Sequence, residues 1–284
     1  MLSRLSCSVV SILWFCVGFA FNLGHGIIPI QFGGANLAQG QAQNVNIQGL
    51  VGNHYTLSSR LQNKGLVGVG YYLSKYDKCQ DDEEIDVASQ RYHTRRNNND
   101  SWQDMPVYKR KYDISKAECY SQQASNMHLY YGIDLFYFGA ASVSGEIIQE
   151  QLYANLNYKY DVQQFPIYLA IKANINLFDP NYNLVLDLGM GPNFIHTSNY
   201  TEVPLTSYSI PANNTFAPNN STSFSVTAGI GIRLNNIIGH CPLELGYRFF
   251  YLGSGQLQAN NNQLLNTLKT GNMYANALVF TVTL

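Results

Sequence analysis

Six charged side chains interrupt stretches that are otherwise apolar and small: Asp134, Lys172, Asp187, Arg233, Glu244 and Arg248. Three acids and three bases sharing a confined space can line an ion pathway. They can also pair into a network that fills a narrow interior, because charges removed from water must be paired. Pairing is the expectation here, since an eight-stranded barrel has an interior only wide enough for its side chains. The other groups capable of chemistry do not converge. His25, His54, His93, His128, His196 and His240 show no H-x-x-x-H spacing, so no zinc site is expected. His196 is followed by Thr197 and Ser198, the local candidates for a nucleophile. On an extended strand Thr197 points away from His196, and Ser198 starts about 6–7 Å along the same face. No third group nearby orients the imidazole, so the triplet reads as polar loop composition. The glycines of GLVGVG at 65–70 are not followed by a helix, which a phosphate-binding loop requires. No catalytic residue, cofactor or metal is expected.

The elements that place the six charges are strands. In 222–253, Phe224, Val226, Ala228, Ile230 and Ile232 alternate with Ser225, Thr227, Gly229, Gly231 and Arg233. After Asn235, Asn236 and Gly239, the residues Leu243, Leu245, Tyr247, Phe249 and Tyr251 alternate with Glu244, Gly246, Arg248 and Phe250. A period of two on both sides of a short turn marks a β-hairpin. One face is large and apolar; the other is mostly small or charged. A water-facing exterior is roughly a quarter to a third charged. This chain is 12% charged over its length, and about half of its charges lie in 77–126. A membrane barrel has the reverse arrangement, with large residues toward lipid and small or polar ones in the lumen. The 21 Tyr suit aromatic girdles at the lipid boundaries. The net charge of −1 gives no basis for nucleic-acid binding.

Residues 1–20 read as a secretory signal with Arg4 before a short apolar run, and cleavage is expected after Ala20. The Gly-, Gln- and Asn-rich 21–44 reads as a flexible lead, with 27–30 as a minor alternative strand. The barrel domain is then 45–284, with strands expected at 45–57, 65–76, 127–139, 153 onward, 183–194, the two arms of the hairpin, and the C-terminal run. A turn is expected at 58–64, and a polar stretch from 139 to Gln151. The apolar phase changes at Gln163-Gln164, from Leu156, Tyr158, Tyr160 and Val162 to Phe165, Ile167, Leu169 and Ile171. That slip implies a bulge in one long strand, or a turn between two. Segments 196–220 and 254–271 read as loops. The charged 77–126 is an extramembrane insert whose side of the membrane depends on the strand count, eight being favoured and ten the alternative.

Taken in order, the signal, GMGPNF, AGIGIRLN, LELGYRFFYLG and the apolar C-terminal strand resemble the small OmpA/opacity-type outer-membrane β-barrel proteins. GNHYTL…GLVGVGYYL and LDLGMGPNFIHTS…LGYRFFYLG extend the likeness to surface barrels of gamma-proteobacteria. Two features depart from the pattern: the last residue is Leu284 rather than an aromatic, and no peptidoglycan-binding domain follows. The resemblance implies an all-β, antiparallel transmembrane barrel in a Gram-negative outer membrane, with a structural or host-adhesion role through exposed loops. A narrow pore is the alternative, and a lipid-modifying or proteolytic barrel a third class. The expected partners are the outer-membrane lipid bilayer and ligands met by the loops, with the chain a monomer.

Cys79 and Cys119 flank the insert where two strands converge, and export to an oxidising compartment favours a disulfide between them. Cys241 opens a strand and is expected to be free.

Overall fold

The computed structural model describes residues 26–50, 52–58, 61–74, 127–149, 152–176, 181–205, 215–238 and 241–284. Eight strands carry the architecture: β1 (Pro29–Ala38), β2 (Leu61–Ser74), β3 (Met127–Gln149), β4 (Tyr153–Asn176), β5 (Tyr182–Pro204), β6 (Asn219–Ile238), β7 (Cys241–Gly253) and β8 (Met273–Thr283). Each pairs antiparallel with the next in sequence, and β8 pairs with β1 through Phe280↔Phe32 and Thr283↔Pro29. The ring is closed, so no barrel strand is left as a free edge.

Alternation assigns the faces. On β2 and β3, Val67, Val69, Leu129, Tyr131, Ile133 and Leu135 are exposed, whereas Gly68, Gly70 and Asp134 are buried inside. The outward sets on β5, β6, β7 and β8 complete an apolar belt around this half of the barrel. On β3 the exposed apolar set runs from Met127 to Tyr137, and the ~25 Å band of outer-membrane barrels takes ~9–11 residues of tilted strand.

The strands outrun that belt. At ~3.3 Å per residue, the 24 residues of β4 run about 80 Å. At the tilt of a closed barrel, ~40°, they rise about 60 Å. No bulge or turn interrupts the alternation of β4 at Gln163-Gln164; even-numbered residues face inward from Leu156 to Asn174. The large residues change face instead. Leu169, in the belt, is 70% exposed, and Tyr160, beyond it, is 1% exposed. The same inversion occurs on β3, where a register shift between Phe138 and Ala141 brings Ala141, Val143 and Ile147 inside. The stretch from 139 to Gln151 is therefore not a polar loop: up to Gln149 it is strand, with Ser142, Ser144 and Glu146 facing out. Likewise β5 continues to Pro204, past a bulge at Asn199, whose φ is 55°.

The first strand also differs from expectation. Ring closure is made by β1, inside the segment 21–44 that reads as a flexible lead. Its glycines serve close strand approach: a Cβ on Gly33 would stand 2.0 Å from the Leu278 carbonyl oxygen. The segment 45–57 is not a barrel strand. Short strands Gln43–Val45 and Asn53–Tyr55 form a hairpin, turning at Gly49 with φ of 76°, and extend the far end of β3 through His54↔Ile148. Val45 and Tyr55 are both buried, so two inward-pointing hairpin arms mimic the period of one strand. Residues 61–64 belong to β2 rather than to a turn.

Beyond the belt, β3, β4 and β5 form a tall wall. The connection between β7 and β8 folds against it, seating Leu257 and Leu268 in one apolar cluster with Val143, Ile147, Tyr158 and Ile195. The molecule thus has a belted half and a second half built like a water-soluble β protein.

Candidate functional site

Inside the belted half, seven side chains from six strands converge. β4 and β5 place Lys172 directly opposite Asp187. β7 contributes Glu244 and Arg248, two turns of the pleat apart on the inner face. β3 contributes Asp134, β1 Gln31 and β2 Tyr72. Arg248 bridges two carboxylates, Nη1 to Asp134 Oδ2 at 3.2 Å and Nη2 to Asp187 Oδ2 at 3.1 Å. Lys172 Nζ donates to Glu244 Oε2 at 2.9 Å and lies 3.6 Å from Asp187 Oδ1. Tyr72 donates its hydroxyl to Asp134 at 2.7 Å, and Gln31 both donates to Asp134 at 3.2 Å and accepts from Arg248 at 3.1 Å. Glycine makes the room. A Cβ on Gly70 would lie 2.3 Å from Asp134 Oδ1, and one on Gly229 would press on Arg248 Nε at 3.3 Å.

A ring layer closes the cluster toward the second half. Arg248 lies 5.1 Å from the centroid of Phe136, which meets Phe250 at 5.3 Å and Tyr168 at 6.0 Å; Phe138 meets Phe250 at 5.1 Å. Two cations and three carboxylates, with Tyr72 and Gln31 supplying donors, form a paired ionic plug beneath an apolar lid. The plug stabilises through the penalty that any unpaired member would suffer, about 3–5 kcal/mol when one partner of a buried pair is removed.

Five of the six charges expected in the lumen meet here. Arg233 does not. It stands opposite Glu244 in register, but Glu244 turns to Lys172, and Arg233 Nε donates to Asn235 Oδ1 at 3.3 Å near the barrel end. Gln31 and Tyr72 are members that sequence reading passes over. His54 and His196 stay apart. His54 pairs across strands with Asn44 at 2.6 Å, and His196 with Asn220 at 2.6 Å. Thr197 is buried and donates to the carbonyls of Asn219 and Gln256, away from His196. Among the described residues no group of three or more His, Cys, Asp or Glu is placed to hold a metal. Cys241 is a half-buried free thiol; Cys79, Cys119, His25, His93 and His240 lie outside the described residues, as do the signal segment and the insert.

The second half has its own polar core. Tyr200 and Thr215 both donate to Glu202, each at 2.5 Å. Tyr55 stacks edge-on against Tyr158 at 5.2 Å and Phe216 at 6.0 Å. Tyr158 donates to the Thr56 carbonyl at 2.5 Å, and burial pushes its phenol up to about 12. Burial also raises the phenols of Tyr55, Tyr160 and Tyr200. On the outer surface Asp161 is partly desolvated, which raises its carboxyl. Hydrogen bonds from Asn199 and Ser142 and the charge of Lys159 outweigh this and hold it below the usual range.

The sequence matches no protein-family model and no curated protein. Among solved structures, the chain is similar to Neisserial surface protein A, at 8% identity and TM-score 0.37, over 92% of this chain and 97% of that one. It is similar to Ail, the attachment invasion locus protein of Yersinia pestis, at 10% identity and TM-score 0.30, over 92% and 99%. It is also similar to the outer membrane protease OmpT of Escherichia coli, at 8% identity and TM-score 0.38, over 93% and 97%. The likeness is one of architecture alone.

Proposed function

We propose that the chain is an outer-membrane surface barrel whose second half projects from the cell as a rigid stalk and presents its loops to external partners. The observation that carries this reading is the inversion of faces along β3 and β4. An apolar exterior with a polar interior suits lipid; a polar exterior with an apolar interior suits water. Most connections also divide by end. At the belted end 177–181 and 239–240 link β4 to β5 and β6 to β7 briefly, and 75–126 is the one long connection; at the stalk end 39–60, 205–218 and 254–272 are long, and 150–152 is the one brief connection. Short turns face the periplasm and long loops the outside in such barrels. The stalk is therefore assigned to the exterior, and the insert, which joins the belted ends of β2 and β3, to the periplasm.

The plug and its ring lid support a non-conducting, non-enzymatic role, with binding vested in the loops and the chain acting as a monomer. Planar-bilayer recording is expected to show no unitary conductance. Deleting 206–214, without loss of the heat-modifiable band, is expected to reduce attachment of intact cells to host surfaces to the level of cells lacking the protein. Steady conductance, or unchanged attachment after each external loop is removed in turn, would overturn the reading.

A further inference from the structure

Across β8, β1 and β2 the outward side chains fall into three rows fixed by register. Phe280, Phe32 and Val67 form the first, Leu278, Gly34 and Gly65 the second, and Asn276, Asn36 and Asn63 the third. The first row is apolar and deep in the belt, with the rings of Phe32 and Phe280 5.0 Å apart. The third is amide, and it is hydrogen-bonded: Asn36 donates to Asn63 at 3.0 Å, and Tyr247 donates to Asn276 at 2.6 Å. The middle row is a groove of about 660 Å³ floored by the two glycines.

Among the described residues nothing requires glycine there. A Cβ added at Gly34 or at Gly65 would meet no atom within 4 Å, unlike one at Gly33, which strikes backbone. Elsewhere the belt ends toward the stalk in rings: Tyr137 against Phe165 at 4.8 Å, with Phe194 opposite Phe165 and Phe224 on β6. At β1 and β2 that rim is missing, and an amide row stands above open space.

We propose that this gap is a lipid site that seats one acyl chain of an outer-leaflet glycolipid, the class whose chains are joined by amide links to a phosphorylated sugar. The proposal rests on the outer-membrane reading above. The surface is continuous with the belt, so lipid is the phase that meets it. The chain lies along Gly34 and Gly65 between Leu278 and the Phe32 ring. Its amide meets Asn36, Asn63 and Asn276, which offer both N–H donors and carbonyl acceptors. A phospholipid would place ester carbonyls at the asparagine row and offer it no N–H donor.

The test is native mass spectrometry of the full-length mature protein, extracted from outer membranes in mild detergent. The wild type is expected to retain one glycolipid per chain. Gly34→Leu/Gly65→Leu fills the groove without striking protein and is expected to release it, while the heat-modifiable band persists. Asn36→Ala/Asn63→Ala leaves the floor open and is expected to lower the retained fraction several-fold. Equal retention by wild type and Gly34→Leu/Gly65→Leu would overturn the proposal. So would retention of phospholipid alone, or a two-chain mass that the double leucine variant abolishes, since the groove would then seat a second copy. Recovery of wild type as a soluble protein without detergent would instead overturn the membrane reading beneath it.

Discussion

The two halves of this barrel share strands, yet they place their large side chains on opposite faces. On β4, Ile171 and Leu169 point out and Lys172 and Ala170 point in; a few residues on, Lys159 and Asp161 point out and Tyr158 and Tyr160 point in. At the junction both faces are large, with Tyr137 outside and Phe136 and Phe138 inside. On β4 backbone geometry cannot be the cause, because the alternation of that strand does not change. The solvent outside changes, and with it the face on which burial is favourable. In the stalk, apolar interior side chains stabilise by leaving water, at roughly 25 cal/mol per Å². In the belt, outward side chains exchange lipid for lipid, so the strand ladder and the ionic plug must hold the interior together.

Topology offers an all-or-none way to break this comparison. If the belted end faces the periplasm, trypsin applied to intact cells will spare the KRK at 109–111, and will cut there once the outer membrane is permeabilised. Cleavage on intact cells would reverse the two ends. The next largest effect is expected at the plug. Arg248→Leu leaves Asp134 without a cation and Asp187 with only the 3.6 Å contact to Lys172, and is expected to destabilise the barrel by about 3–5 kcal/mol in urea unfolding from bilayers. Adding Asp134→Asn and Asp187→Asn should recover much of that loss. An unchanged midpoint for Arg248→Leu would mean that the belt, unlike the stalk, does not depend on its interior.

How far the sequence reveals each half follows from the same physics. The hairpin 222–253 and the belted part of β5 are legible because lipid-facing Leu186, Leu188, Ile230 and Ile232 are large while inner Gly189, Gly229 and Gly231 are small. The stalk is not, because its alternation resembles the belt's in opposite phase; the slip at Gln163-Gln164 carries the signal, but a bulge produces the same pattern. β1 hides behind Gly33 and Gly34, which read as flexibility and prove to be close approach at one and open space at the other. Gln31 is lost with it. Tyr72 is masked by Tyr71, since adjacent bulky residues occupy both faces and only the Asp134 contact distinguishes them. Arg233 has the right phase and a facing acid, but position along the lumen decides pairing, and alternation is blind to position.

A paired substitution sharpens the boundary. Leu188→Arg puts a cation on the belt and is expected to cost about 2–4 kcal/mol near the bilayer midplane. Asn157→Arg, on the outer face of the stalk, is expected to fall within about ±0.5 kcal/mol, as for ordinary surface changes. Both residues are exposed and both lie on outward positions of long strands. Comparable losses at the two sites in reconstituted bilayers would mean that the lipid boundary does not fall between them.

The smallest effect is chemical and confined to the stalk. Tyr158 is buried, donates to the Thr56 carbonyl at 2.5 Å, and has its phenol pushed up to about 12 by burial. A folded-state value above the unfolded one, ~10, favours the neutral phenol in the native state. The stability it contributes is complete below pH ~10 and declines as the pH rises toward 12 and above. Tyr158→Phe removes both the hydrogen bond and this linkage. It is expected to cost about 0.5–1.5 kcal/mol at pH 8, with the difference from wild type shrinking as the pH rises beyond 10. Phenolate absorbance should show the matching loss of one late-titrating tyrosine. A wild-type and Tyr158→Phe difference that stays constant from pH 8 to 12 would mean that water reaches the stalk interior, and the two halves would then differ only in their outer faces.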